Sequence, residues 1–243
     1  MFMLGVLDTQ KPHGKNTDTG ESGFIDIVLA NHLGDYNLVV ECKRVKDTSW
    51  IFLVEGTEKK YRRHAKCFVL HTEAVVNKFE WVDLTPDPRT FQSQYCVIPG
   101  TDNRSKSLIE RAAAELVSST EGLASEDIAL STSVCFGGSG IFRVYLNVIV
   151  TTASLQVCHL DPNKISLKDG TVGGANLEEV PFLRFRKQLN PSYNLSKINE
   201  ASSDNDVVRA KENTIFVVNS EHITSFLKEF SLKSLIMDSR FVR

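Results

Sequence analysis

Apolar positions along this chain follow two rhythms. Residues 23–30, GFIDIVLA, and 37–45, NLVVECKRV, are short runs rich in β-branched residues, and Gly34-Asp35 lies at the tip of the segment between them. The pair reads as a β-hairpin. Over 50–98 the runs WIFLVE, CFVLH, FEWVDL and QYCVI alternate with charged or proline-containing breaks, which predicts inserted strands that elaborate the sheet. The period then becomes helical. Leu108, Ile109, Ala112, Ala113, Leu116 and Val117 predict a helix over about 104–120, with caps at Thr101 to Asn103 and a stop at Gly122; 125–130 can begin another turn. IFRVYLNVIVTT is a long β-rich run, and SLQVCHL reads as its neighbour strand. Residues 161–212 are loop-rich. NTIFVVN predicts a last strand, and Ser220 is placed to cap a helix that aligns Ile223, Phe226, Leu227 and Phe230.

The order of these elements predicts an α/β protein, a central mixed β-sheet flanked by helices. At 243 residues and 42% apolar content the chain can bury a sizeable core. We divide it into a core at 1–160, carrying the strand insert at 50–98, and a C-terminal α/β extension at 161–243 packed on the same domain. The formal net charge of -2 excludes a global positive field, so affinity for a polyanion has to be local. Five cysteines without a C-x-x-C pair argue against a disulfide framework or a zinc knuckle. The opening MFMLGV is short and lacks a basic flank, and no run approaches membrane-spanning length. The expectation is a cytoplasmic protein with no membrane partner.

Against that background three charges stand out. Asp26 lies within the first strand of the hairpin, and Glu41 and Lys43 lie in the second, where apolar residues are expected. Alternation puts Glu41 and Lys43 on one face, with Cys42 and Arg44 on the other, and a paired hairpin brings Asp26 beside Glu41. Two carboxylates buried side by side repel and lose hydration, which a hard divalent cation offsets. Magnesium takes oxygen ligands, commonly one or two carboxylates with substrate phosphate, and the backbone carbonyl of Cys42 is a further oxygen between the acids. A lysine beside such an ion can orient a water or steady charge growing on phosphorus.

GFID followed by LVVECKR resembles the D…(D/E)-x-K signature of the restriction-endonuclease-like superfamily, the PD-(D/E)xK nucleases. The order of hairpin, helix and apolar strand is similar to that family's core over roughly residues 20–160. The resemblance implies Asp26 and Glu41 as ligands of Mg²⁺ (or Mn²⁺), Lys43 as the catalytic lysine, and phosphodiester hydrolysis as the reaction. DNA is the substrate it implies first, with RNA as the alternative and pairing of two copies left open. The chain departs from the pattern in two places. Ile25 stands where the motif's proline would be, and no helix is legible before Gly23, where family members often carry one with another acid. SLQVCHLDPNKISL and EEVPFLRFRK are similar to segments of uncharacterised bacterial nuclease-like proteins and imply no activity.

From Lys43 to Lys66 eight basic residues face three acids, and KKYRRHAK interleaves Lys59, Lys60, Arg62, Arg63 and Lys66 with Tyr61. This stretch is the candidate phosphate-backbone track, with a solvated charged surface as its ordinary alternative. Glu58-Lys59-Lys60 repeats the E-x-K spacing without a strand around it. CFGGSG lacks the Lys-Ser/Thr ending of a phosphate-binding loop, and RFRK at 184–187 reads as surface. The rival to an enzyme is the same fold kept as an inactive nucleic-acid-binding or assembly module. A third reading, an unrelated scaffold, leaves Glu41 and Lys43 in an exposed ion-paired row worth little.

Overall fold

The structure, a computed structural model, describes residues 25–55, 64–73, 76–100, 107–132, 142–160, 176–189 and 211–232. In chain order the strands are β1 Ile27–Ala30, β2 Tyr36–Lys43, β3 Ser49–Glu55, β4 Ala65–Glu73, β5 Val76–Leu84, β6 Pro86–Asp87, β7 Gln92–Ser93 and β8 Tyr95–Val97. Helix α1 spans Leu108–Thr132, followed by β9 Phe142–Thr151, β10 Ser154–Leu160, β11 Asn176–Glu179, β12 Phe182–Lys187 and β13 Asn213–Asn219. A 3₁₀ turn at Ser220–His222 leads into α2, Ile223–Glu229, and β14, Ser231–Leu232, pairs with β6. The class is mixed α/β, dominated by strands.

Eight strands form the main sheet in the order β1-β2-β9-β13-β12-β7, with β4 on the first part of β9 and β5 on β4. β2, β9 and β13 run parallel; β1 is antiparallel to β2, and β12 is antiparallel to β13 but parallel to β7. Both faces are covered, so β9 is apolar almost throughout instead of alternating. Val39, Ile149, Ile215 and Val217 face α1, and Leu38, Val40, Val148 and Phe216 face α2. The C-terminal segment supplies β12 and β13 to this sheet, so chain on both sides of position 160 shares the core that α1 covers.

The order β11-β10-β3-β8 defines a second sheet. β10 therefore does not neighbour β9, as its sequence position suggests. The chain turns a corner at Thr152–Ala153, Ser154 N–H bonds the carbonyl of Thr48, and β10 pairs parallel with β3. Leu155 and Val157 gain burial beside Trp50 and Phe52 in the α1-side core.

Two helix ends differ from the sequence reading. α1 continues through Gly122, because Leu123 and Ala124 extend its buried face. A glycine in a helix costs about 1 kcal/mol; burying a leucine returns about 1.5–3 kcal/mol. At the C-terminal helix Ser220 is not the cap: it opens the 3₁₀ turn, which Asn219 caps by accepting from Glu221 N–H on its Oδ1 at 2.9 Å, and the N-cap position of α2 itself is His222, without a side-chain cap bond. The hairpin tip does follow its turn chemistry. Asn31 Oδ1 accepts from Asp35 N–H (3.1 Å) and Tyr36 N–H (3.2 Å), and Gly34 takes φ +73°. No helix among the described residues is long and apolar enough to cross a membrane.

Candidate functional site

Backbone register decides where the hairpin acids go. Ile27 pairs with Val40, so one step outward Asp26 lies opposite Glu41. Val144 N–H bonds the Asp35 carbonyl and Thr152 N–H bonds the Lys43 carbonyl, so odd positions of β2 turn their backbone groups to β9. Even positions, Cys42 among them, turn theirs to the β1 side. There β1 has ended. The Asp26 carboxylate takes over from the ladder, its Oδ2 accepting from Cys42 N–H at 2.7 Å. The Cys42 carbonyl leaves β2 toward the same side.

Side chains alternate correspondingly. Val39 faces α1, so Glu41 and Lys43 face α1 as well. Their ammonium and carboxylate form a direct ion pair, with the Glu41 side chain 15% exposed and that of Lys43 25% exposed. Asp26 is exposed and stands just before β1, and Glu41, though inside β2, is only partly buried, so the expectation of two buried acids inside strands is not met.

A third acid joins them from α1. The helix runs antiparallel to β9: Thr120 Oγ1 donates to Asn147 Oδ1 at 2.6 Å, and Tyr145 OH donates to Asp127 Oδ2 at 2.6 Å. Glu115 precedes Thr120 by a helix rise of about 7.5 Å, or about two strand residues. That step leads from Asn147 to the level of Ile149, the β-partner of Glu41. Sequence reading missed Glu115. Its signal was available in the helical wheel, where it flanks the buried stripe of Ala112, Leu116 and Val117.

The electrostatics register all three acids. Burial pushes the Glu41 carboxyl above its ordinary value, Asp26 and Glu115 add to the rise, and Lys43 partly offsets it. For Lys43 burial works against the charge, yet Glu41, Glu115 and Asp26 outweigh it and raise the ammonium. Lys43 pairs directly with Glu41 and feels the charges of Glu115 and Asp26, at the C-terminal end of parallel strands, the edge where open α/β sheets hold ligands. The Cys42 thiol is raised by burial and then by Asp26 and Glu41, the wrong direction for a nucleophile.

The donor chemistry fits a hard cation. Asp26 has one oxygen fixed by Cys42 N–H, which orients the other, and Glu41 has one oxygen on Lys43. Two carboxylates and a carbonyl suit Mg²⁺, which keeps much of its water. Among the described residues no group of three or more His, Cys, Asp or Glu side chains is placed to hold a metal ion.

The proposed phosphate track fares differently. Lys59, Lys60, Arg62 and Arg63 lie outside the described residues. Lys66 does not belong to a surface track: it is buried in β4, with its ammonium 3.3 Å from Asp83 Oδ2. Arg186 donates to both Asp83 oxygens (3.0 and 3.3 Å) and to Glu212 (2.7 Å), closing a buried network. The first three residues of RFRK are likewise interior rather than surface, and Lys187, partly exposed, pairs with Glu110. Arg184 is fully buried, donating to the carbonyls of His64, Pro86 and Pro88 at 2.8–3.1 Å. The exposed basic residues described near Lys43 are Arg44 and Lys46.

No known protein family, curated protein or solved structure matches this chain.

Proposed function

We propose that the chain is a metal-dependent nuclease of the PD-(D/E)xK type, hydrolysing phosphodiester bonds, with DNA as the first candidate substrate and RNA the second. The observation that carries this is that Asp26, bonded to the Cys42 N–H from just before β1, flanks the Glu41–Lys43 ion pair at one end of β2. Asp26, Glu41 and the Cys42 carbonyl would hold Mg²⁺ or Mn²⁺. When bound, the ion supplies charge neutralisation at the scissile phosphate and acidifies water.

Lys43 does the remaining work. Its raised ammonium stays protonated at neutral pH, so it serves as a hydrogen-bond donor that aligns the attacking water and steadies the phosphorane-like charge, rather than as a base. Arg44 and Lys46, exposed just beyond β2, are suited to contact phosphates flanking the cut. Four described cysteines are free thiols, which suits a reducing cytoplasm. Assembly as a homodimer, one active site per strand, is compatible with double-strand cleavage.

The test is cleavage of supercoiled plasmid, linear duplex and single-stranded RNA with Mg²⁺ or Mn²⁺. Glu41→Gln and Lys43→Ala are expected to lose cleavage by at least about a hundredfold. Wild-type rates in both variants refute the assignment. A second reading, an inactive nucleic-acid-binding module of the same fold, is favoured by one observation: Lys43 already occupies an oxygen of Glu41. That reading expects nucleic-acid binding with no metal-dependent cleavage in any variant.

A further inference from the structure

We propose that Lys43 is a resident counter-ion which a divalent cation must displace from Glu41, so that ion binding itself frees the lysine for the substrate phosphate. The inference rests on the nuclease reading above and concerns how that site is regulated.

Its components differ in how firmly they are held. Asp26 is fixed, one oxygen tied to a backbone N–H of β2 at 2.7 Å. Glu41 is mostly buried on the α1 side, with few directions in which to move. Lys43 is the adjustable member: an unbranched chain, a quarter exposed, whose ammonium sits on Glu41 Oε1. Without an ion, that ammonium is the positive charge facing Asp26, Glu41 and Glu115. A doubly charged ion held by Asp26 and Glu41 would repel that ammonium and compete with it for the Glu41 carboxylate. The carboxylate has lone pairs enough for both, so the displacement rests on repulsion: an ion on Glu41 would lie within a few ångströms of the ammonium and carry the larger charge.

The released ammonium then points from the end of β2 toward the place where an anionic substrate approaches. A lysine that reaches its working position only with the ion bound keeps the ion-free protein from gripping phosphate unproductively. Removing the lysine therefore should strengthen ion binding, opposite to its effect on cleavage.

The experiment is calorimetric titration of the full chain with Mn²⁺ alone, without nucleic acid, for wild type, Lys43→Met, Lys43→Arg and Asp26→Asn. Lys43→Met keeps the side chain's length and loses its charge, and is expected to bind Mn²⁺ about tenfold tighter than wild type. Lys43→Arg, which retains the charge, should bind as wild type does or more weakly, and Asp26→Asn should lose binding. A urea melt of each variant establishes that it is folded. Equal or weaker Mn²⁺ affinity in Lys43→Met, with wild type binding and Asp26→Asn not, overturns the displacement and leaves the metal site standing. Binding by Lys43→Met where wild type shows none supports it. Absence of binding in both wild type and Lys43→Met sinks the displacement together with the nuclease reading beneath it.

Discussion

Two acids on this sheet can be told apart by what their neutralisation does to stability. Asp83 faces Lys66 and Arg186, whose side chains are 8% and 7% exposed, and Glu212 supplies the second negative charge of that network. Charges there balance. Asp83→Asn leaves two buried cations against one acid, and breaking a buried pair costs about 3–5 kcal/mol. Asp83 is itself 33% exposed, which places the expectation at the lower end, about 3 kcal/mol. Glu41 is the reverse case. Among the described residues Lys43 is the cation acting on Glu41, while Asp26 and Glu115 both act against its charge, so Glu41→Gln relieves that repulsion while giving up an ion pair with a partly exposed lysine. Those effects oppose each other, and the net change should stay within about 1 kcal/mol. With a urea dependence of about 2–3 kcal/mol per molar, Asp83→Asn lowers the midpoint by about 1–1.5 M and Glu41→Gln moves it by less than about 0.5 M. Equilibrium urea unfolding by circular dichroism at pH 7 measures both. A Glu41→Gln loss as large as that of Asp83→Asn would make Glu41 a structural residue and remove the reason to place chemistry there.

The same network predicts an acid limb. Burial works against the charged form of Asp83, but Lys66 and Arg186 prevail and hold its carboxyl below the usual range. A depressed folded value means that its stabilisation is present above the unfolded value, about 3.9, and lost as pH falls through the lower, folded one. Urea midpoints between about pH 5 and 2.5 should therefore fall more steeply for wild type than for Asp83→Asn; parallel slopes would refute this. At Arg184, burial lowers the guanidinium to about 10, so it stays charged at neutral pH while its fork spans the carbonyls of His64, Pro86 and Pro88. Arg184→Lys, with one compact donor group, should cost about 3 kcal/mol in urea unfolding, and a wild-type midpoint would show that the fork is dispensable.

Much of the architecture was legible because it is periodic. The hairpin, the β9 run and the stripe on α1 each advertise a buried face, and each forms. Pairing partners were not legible. SLQVCHL follows β9 closely enough to suggest a hairpin, but whether two strands pair or turn a corner depends on where the remaining apolar area lies, and Trp50 and Phe52 supplied it in another sheet. Charge meaning was least legible of all. Lys66 and RFRK read as surface because basic residues usually are; counter-charges at Asp83 and Glu212 and carbonyls at His64, Pro86 and Pro88 come from distant segments and let them go inside.

At the edge where β2, β9 and β13 end, several polar side chains are committed to building the backbone. Thr152 Oγ1 donates to the Val45 carbonyl at 2.6 Å and accepts from Val45 N–H at 2.9 Å, locking the exit of β2 to the corner after β9. Asn219 Nδ2 donates to the Ala153 carbonyl at 2.8 Å, tying the end of β13 to the same corner. These bonds satisfy groups that an open strand end would leave to water, and they fix the backbone on which Glu41 and Lys43 sit. The ionic set beside them is different in kind, because it holds more negative charge than its own lysine balances. A rigid frame carrying an unbalanced charge is the arrangement expected where a ligand completes the balance, and it is the reason to look for cation chemistry at this end of the sheet rather than around Asp83, where among the described residues two acids meet two cations.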